Sequence, residues 1–309
     1  MSRLIVSGVR ISVIVATWNG ADVLGACLDS VLSQEVPGGF ETIVVDDAST
    51  DDTPALLRRY GDRVSVITND HNAAYAGANN LAARHARGEV LFFLNSDTEL
   101  LAPDVLDRMA SAASTDGVGL AGPKLVNPDG TLQPSCAPYP TVPRMLLVGV
   151  GLHRVLPDRL LARVTPQFWS HSQPLDTDWL MGAALAVRAD VFHQLDGFWP
   201  TLYSEETDLA YRARQRGLRV RFESVPTVMH IGNHSFSQRL SDTDRARRMA
   251  VAELEFLEAH YAWPRHAAIR AIAVVSYGAR SIAHALLGRR RRAAVYRAMT
   301  AVYGGLARR

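Results

Sequence analysis

Cysteine is nearly absent: two in 309 residues, Cys27 and Cys136, make neither a disulfide framework nor a metal knuckle. Lysine is rarer still, with Lys124 alone among 33 basic residues and arginine supplying all the others. Acidic residues stop at Glu258. Residues 259–309 hold ten arginines and no Asp or Glu, so that stretch carries +10 and the remainder −8, within a formal net charge of +2. No G-x-G-x-x-G follows the first strand-like run, and no G-x-x-x-x-G-K-[ST] occurs. These absences argue against a dinucleotide oxidoreductase and a P-loop NTPase. Long hydrophobic runs are missing too, so no spanning helix is expected. The apolar N-terminus is interrupted by Gly8 and Arg10, and no small-x-small site precedes Thr17, so no signal peptide is expected. A reduced compartment fits these absences, which argue against secretion and a multi-pass membrane protein.

What is present is an ordinary globular composition, 48% hydrophobic and 21% charged. Strand-like runs alternate with helical patterns over the first 125 residues. Ile11–Ala16, Thr42–Val45, Val64–Thr68, Val90–Leu94 and Val118–Ala121 read as strands. Segments at Ala21–Ser33, Thr53–Tyr60, Ala76–Ala86 and Pro103–Ala113 read as helices. That βαβαβαβαβ order predicts a largely parallel, three-layer α/β sheet, with ligands at the carboxyl ends of its strands. Past Pro123 the pattern loosens. Residues 127–178 are Pro-rich and weakly periodic, Ala183–Arg188 reads as a strand, and Glu205–Arg216 as a helix stopped by Gly217. Val220–Glu223 and Thr227–His230 read as two short extended pieces, and Arg245–Tyr261 as a helix followed by two more.

Each early strand ends in a polar cluster: Thr17-Trp18-Asn19-Gly20, Asp46-Asp47-Ala48-Ser49-Thr50 and Asn95-Ser96-Asp97. Helix capping explains one such residue per loop and suits Asp51 and Asp52 before Thr53-Pro54. Two adjacent carboxylates after an all-apolar strand, at the edge ligands use, fit function better. An acidic site holds a diphosphate when a hard divalent cation, Mg²⁺ or Mn²⁺, sits between them.

At these residues the chain resembles the family-2 glycosyltransferases of the GT-A fold, in their bacterial rhamnosyltransferase-like group. The matching pieces are ISVIVATWNG, VVDDASTDDT, NAAYAGANN, FLNSDTEL, GPKLVNPDGTLQPS, DWLMGAALAVR, EETDLAYRARQRG and VMHIGNHS, in the family's order over roughly residues 10–240. The resemblance implies a nucleotide-sugar-binding α/β/α domain over 1–240 and a C-terminal helical, Arg-rich extension over 241–309. It implies a nucleoside pocket at Thr17, Asn19, Asp46 and Asp47, with Gly77 and Asn80 approaching base and ribose. Asn95 and Asp97 take the place of the D-x-D motif, Asp97 carrying most of the metal contact, and His230 stands where some members have a further ligand. Glu206 falls at the position of the general base, with Asp208 or Glu205 as substitutes. An acidic first turn on a helix is also what the macrodipole favours. Because a helix N-terminus stabilises an ionised carboxylate, the base is expected to be kept charged there. Trp179 and Gly182 line the sugar and acceptor pocket in this reading.

The implied reaction is inverting and metal-dependent. It moves a sugar, L-rhamnose from dTDP-rhamnose first among several, to a lipid-linked or polysaccharide acceptor in cell-envelope glycan synthesis. Pro264–Leu287 carries an apolar stripe (Ala268, Ile272, Val275, Ala279, Ile282, Leu286) opposite a polar one (His266, Arg270, Tyr277, Ser281, His284), and Arg289–Arg292 follow. This predicts an interfacial helix on an anionic membrane through 264–309 and a cytoplasmic location, peripheral to the inner face of the cell membrane. Packing on the body or on a second copy, as in a homodimer, is the alternative. Two rivals remain. A nucleotidyltransferase would carry a Gly-rich loop after strand one, which TWNGAD lacks. A non-catalytic nucleotide- or nucleic-acid-binding protein would need stacking aromatics, which are sparse, and no nucleic acid is expected.

Overall fold

A computed structural model describes residues 9–200, 204–232 and 241–306. The last three residues of the VMHIGNHS segment lie outside them. The strands are β1 (Ile11–Thr17), β2 (Phe40–Asp46), β3 (Ser65–Thr68), β4 (Val90–Asn95), β5 (Thr98–Leu100), β6 (Val118–Val126), β7 (Leu132–Gln133), β8 (Cys136–Ala137), β9 (Leu175–Thr177), β10 (Trp179–Leu180), β11 (Ala184–Arg188) and β12 (Arg219–His230). The helices are α1 (Leu24–Leu32), α2 (Thr53–Arg58), α3 (Ala74–His85), α4 (Val105–Ala113), α5 (Val142–Gly149), α6 (Asp158–Val164), α7 (Ala189–Gln194), α8 (Glu205–Gln215), α9 (Asp242–His260), α10 (Trp263–Leu286) and α11 (Arg290–Tyr303). They group into two compact units. One comprises Met1–Ala137, Ser170–Pro200 and Glu205–Ser235; the other comprises Pro138–Trp169, Thr201–Ser204 and Phe236–Arg309.

The first unit is the α/β domain. Its sheet runs β3-β2-β1-β4-β11-β6-β12-β5. The first four strands are parallel, as their alternation with helices requires. The expected fifth parallel neighbour is displaced. β11 enters antiparallel between β4 and β6, with Ala184 opposite Leu94 and Ala186 opposite Ala121. β11 begins at Ala184, level with Leu94 at the carboxyl end of β4, so it runs back down the sheet. The two extended pieces foreseen near 220–230 are one strand, β12, with a register shift between Glu223 and Thr227. The loosely patterned stretch 127–178 holds β7 to β9, α5 and α6.

β1 and β4 are buried because their runs are apolar on both faces. Against them pack Leu24, Cys27, Leu28 and Val31 of α1 and Leu106, Met109 and Ala110 of α4, all fully buried. Burying each such leucine contributes about 1.5–3 kcal/mol. Burial pushes the thiols of Cys27 and Cys136 up to about 12, so both are packing residues and neither is a nucleophile at neutral pH.

The second unit is helical, and in it α10 is turned inside out. Its polar stripe packs inward: Arg270 donates to the Tyr303 carbonyl at 3.0 Å, and Ser281 to that of Ala293 at 3.0 Å. The Tyr277 and Tyr303 rings lie 5.7 Å apart, and His284 stacks on Tyr296. The apolar stripe faces out, with Val275, Ile282 and Leu286 at 72, 64 and 83% exposure. Arg280 reaches the Val148 carbonyl on α5 at 2.8 Å. Among the described residues no helix is long and apolar enough to cross a membrane.

Candidate functional site

The polar clusters predicted from the sequence sit at the carboxyl ends of β1, β2 and β4, and most of their side chains build the loops they belong to. Asn19 Oδ1 accepts from the amides of Thr50 (2.8 Å) and Asp51 (3.3 Å), while the Asn19 amide donates to Ser49 Oγ at 2.9 Å. Asp46 accepts from the Ser49 amide at 3.0 Å. Asp47 Oδ1 accepts from Asn69 Nδ2 (2.7 Å), and both Asp47 oxygens accept from the Ala73 amide (2.9 and 3.0 Å), which ties the loop after β3 to the end of β2. Three non-glycine residues in these loops, Asn19, Ala48 and Ala74, hold φ of 51°, 64° and 57°. Such left-handed backbone costs on the order of 1–3 kcal/mol per residue and persists where neighbouring bonds over-determine it. The hydrogen bonds of Asn19, Asp46 and Asp47 do that here.

Asn80, predicted to approach the ribose, is also occupied. Its side chain accepts from the Phe198 amide at 2.9 Å and donates to the Phe198 carbonyl at 2.7 Å. At Gly77 a Cβ would stand 2.7 Å from Ala73 Cβ, so its smallness serves the first turn of α3. Asp51 caps α2 by accepting from the Thr53 amide at 3.0 Å, and no cap bond comes from Asp52. Thr17 differs. Its buried hydroxyl has no partner among the described residues, and a Cβ at Gly20 would lie 2.6 Å from it and 3.6 Å from Ser96 Oγ. Glycine at 20 keeps that corner open.

Asp97 and His230, 135 residues from Asn95 in the case of the histidine, come together where β4 and β12 end. Asp97 Oδ1 is 3.3 Å from His230 Nε2, and Asn95 Nδ2 is 3.5 Å from the same nitrogen. The Ile231 amide donates to the Asp97 carbonyl at 3.0 Å, fixing the two strand ends. Both side chains are buried. One carboxylate oxygen and one imidazole nitrogen this close together suit a divalent cation whose other ligands are phosphate oxygens and water. Among the described residues no group of three His, Cys, Asp or Glu side chains is assembled for a metal, which agrees with Asn95 in place of a first acid.

Glu206, in the first turn of α8, is held against Gly182. A Cβ at Gly182 would lie 3.3 Å from Glu206 Cδ and 3.3 Å from the Tyr75 hydroxyl. That hydroxyl donates to the Gly182 carbonyl at 3.0 Å, and the Asn95 amide donates to the neighbouring Ala183 carbonyl at 2.9 Å. Residues 182–183 thus gather Glu206, Tyr75 and the end of β4 at one place. Burial raises the Glu206 carboxyl above its ordinary range, opposed by the amides of Glu206 and Gly182. The expected helix-terminus effect is therefore present but outweighed. Asp208 is engaged elsewhere: it pairs with Arg212 at 2.5 Å, and that guanidinium donates to the Leu195 and Gly197 carbonyls and lies 4.7 Å from the Trp199 ring centroid. Glu205 is buried. Trp179 is half-buried on β10, opposite Ala137.

Two residues of the neighbourhood, Tyr75 and Gln133, carry no sequence expectation. Tyr75 is half-buried, and desolvation of its hydroxyl, with the carboxylates of Glu206 and Glu205 nearby, pushes it well above its usual range. Gln133 Oε1 is 2.7 Å from His230 Nδ1. Both lie inside recognisable motif segments, and only the tertiary contacts single them out.

With the geometry in place, the likenesses to known proteins are specific. Glycosyl transferase family 2 matches over residues 12–134. The O-antigen biosynthesis protein RfbC of Myxococcus xanthus is 33% identical over 239 residues, 75% of this chain and 18% of that protein. The UDP-Glc:alpha-D-GlcNAc-diphosphoundecaprenol beta-1,3-glucosyltransferase WfaP of Escherichia coli is 39% identical over 88 residues, 28% of this chain and 35% of that one. The chain thus spans about a fifth and about a third of these two relatives. In fold it is similar to the mannosyltransferase PcManGT of Pyrobaculum calidifontis, solved with GDP-Man and Mn²⁺. The TM-score is 0.60 at 21% identity, covering 96% of this chain and 84% of that one. The α/β domain has the GT-A glycosyltransferase fold.

Proposed function

We propose that this chain, a member of glycosyl transferase family 2 through residues 12–134, moves a sugar from a nucleoside diphosphate donor to an acceptor hydroxyl with inversion at the anomeric carbon. The observation that carries this is the convergence on residues 182–183 of Glu206, Tyr75 and the end of β4, with Asp97 and His230 paired two residues and one strand further on. Glu206 accepts the proton of the attacking hydroxyl, a contribution of about 10²–10⁴-fold. Its raised pKa improves it as a base near neutral pH, since a base matched to the working pH transfers most effectively. Asp97 and His230 hold Mg²⁺ or Mn²⁺, with Asn95 beside them; the cation, when bound, neutralises charge growing on the departing diphosphate. Thr17, with its free hydroxyl, offers a hydrogen bond to the donor, and Trp179 with Gly182 borders the sugar and acceptor.

The donor favoured by the motif resemblance is dTDP-L-rhamnose, and the product is a cell-envelope glycan. A lipid-linked acceptor is supported by the undecaprenol-linked substrate in the WfaP relative's name. It is supported also by the outward apolar stripe of α10 ending at Arg289–Arg292, which suits the anionic inner surface of a membrane. Each arginine near such a surface adds on the order of 1 kcal/mol. Sugar transfer by Glu206→Gln and Asp97→Ala, assayed against a panel of nucleotide sugars with Mn²⁺, tests the site: both fall by at least ~10²-fold, and native turnover in both would overturn it. Co-sedimentation with anionic vesicles tests the surface, where absence of binding at every salt concentration would remove it.

A further inference from the structure

The turn at 127–133, Asn-Pro-Asp-Gly-Thr-Leu-Gln, plays no part in the chemistry above, yet its side chains form an ordered chain of hydrogen bonds ending on His230. We propose that this hairpin is a relay that fixes the tautomer of His230, presenting Nε2 as a bare ligand atom beside Asp97. The proposal rests on the reading of Asp97 and His230 as the cation site.

The turn is tight and self-closed. β7 pairs with β6, the Asn127 amide donates to the Thr131 carbonyl at 2.8 Å, the Gly130 amide to the Asn127 carbonyl at 2.9 Å, and Gly130 takes a φ of 79°. The polarity of the side-chain relay follows from donor and acceptor chemistry alone. It begins at Asp129, whose ionised carboxylate only accepts; its pKa is held low by the Thr131 hydroxyl and amide. Thr131 Oγ1 donates its single proton to Asp129 Oδ1 at 2.6 Å and therefore accepts from Asn127 Nδ2 at 2.9 Å. An Asn127 side chain that donates through Nδ2 leaves Oδ1 as an acceptor, which takes a bond from Gln133 Nε2 at 3.1 Å. Gln133 Nε2 also faces the His230 carbonyl at 3.5 Å. With its amino group so placed, Gln133 turns Oε1 to the imidazole, 2.7 Å from Nδ1. An amide oxygen cannot donate, so Nδ1 carries a proton, and in the neutral ring Nε2 is then bare.

The relay matters because the opposite tautomer has its own attraction. Asp97 Oδ1 stands 3.3 Å from Nε2, and a proton on Nε2 would close a charge-assisted bond between the two ligands, removing both from a cation. Four bonds aligned head to tail toward a terminal carboxylate polarise one another and hold the proton on the far nitrogen. Gln133 and Thr131 are thus positioning residues that act through His230.

The test uses the full chain and reads the tautomer directly. Side-chain ¹⁵N–¹H spectra, with the His230 signals assigned by their loss in His230→Asn, show an Nδ1-protonated ring. Gln133→Met shifts the proton to Nε2, and the Mn²⁺ affinity in the presence of a nucleoside diphosphate, read by electron paramagnetic resonance, falls ~10–100-fold. Gln133→Glu, which keeps an acceptor, restores the Nδ1–H tautomer. Thr131→Val, at an exposed position two bonds away, moves both readouts the same way to a smaller extent and serves if Gln133→Met does not fold. An Nε2-protonated ring in the native chain overturns the relay. So does an Asp97→Ala variant that loses Mn²⁺ while Gln133→Met and Thr131→Val bind it as the native chain does. If Asp97→Ala leaves Mn²⁺ affinity unchanged, the cation site itself is misassigned and the relay falls with it.

Discussion

Adding one methyl group at Gly182 probes the base more finely than removing it. Gly182 has an ordinary backbone conformation, so Gly182→Ala imposes contact without strain. The new Cβ would lie 3.3 Å from Glu206 Cδ, 3.4 Å from Glu206 Oε2 and 3.3 Å from the Tyr75 hydroxyl. Comfortable carbon contacts run about 3.5–4.0 Å, so the carboxylate has to retreat by roughly 0.2–0.7 Å. A misplacement of about 1 Å costs on the order of 10²-fold in rate, which puts this one near 10-fold, or ~1.4 kcal/mol on the barrier. Steady-state transfer measured across pH would show kcat down by about that factor, with the donor KM within twofold. The pH profile adds a second reading. Glu206 works ionised, burial already raises its pKa, and activity is lost as pH falls through that raised value. A methyl that displaces water raises it further, so the acid limb moves to higher pH. Native kcat together with an unmoved acid limb would show that the Glu206 carboxylate is not the reacting group at this contact.

Two other outcomes follow from side chains that the structure uses for building. Asn80→Ala removes both bonds to the Phe198 main chain and costs about 1–3 kcal/mol, a Tm loss of roughly 2–12 °C by thermal denaturation; a higher donor KM at unchanged Tm would return Asn80 to the nucleotide pocket. Glu253 on α9 is raised above its ordinary range by burial, with the Tyr303 hydroxyl opposing. Its protonated form therefore favours folding at low pH, and that contribution is lost as pH rises through the folded-state pKa. Glu253→Gln accordingly raises Tm at neutral pH, and the gain shrinks to nothing below about pH 4, where the carboxyl is protonated in both states; a gain independent of pH would refute the assignment.

The first four strands were legible because each is apolar on both faces and bounded by polar clusters. β11 was legible as a strand but not in direction: Ala-Leu-Ala-Val-Arg buries equally well running either way, and only the return path after β6 decides. At the proposed site, adjacent acids after an apolar strand lie at the carboxyl edge of the sheet. Their division of labour was hidden, since a carboxylate that braces a loop and one that meets a ligand look alike until partners 20 or more residues away, such as Asn69 and Ala73 on Asp47, are in place. The two stripes of α10 were readable from their 3.6-residue period, while the side that packs was not. The polar stripe went inward because the chain around it offers Tyr303, Ala293 and Tyr296 as partners.

The helical unit has a timetable as well as a shape. Its segment 138–169 is made long before the helices it packs with: Gly149 sits against Ser276, and Val148 receives Arg280. A ribosome adding about 5–20 residues per second reaches the middle of α10 some six to twenty-five seconds after finishing α5. By the end of that interval every strand of the α/β domain has been made, β12 last, whereas α5, with no buried residue even in the finished chain, still awaits α10. A nascent chain in this state is the form in which α5 and its neighbours are most open to chaperones and proteases. The late arrival of the C-terminal arginine-rich helices is then the step that ends that exposure.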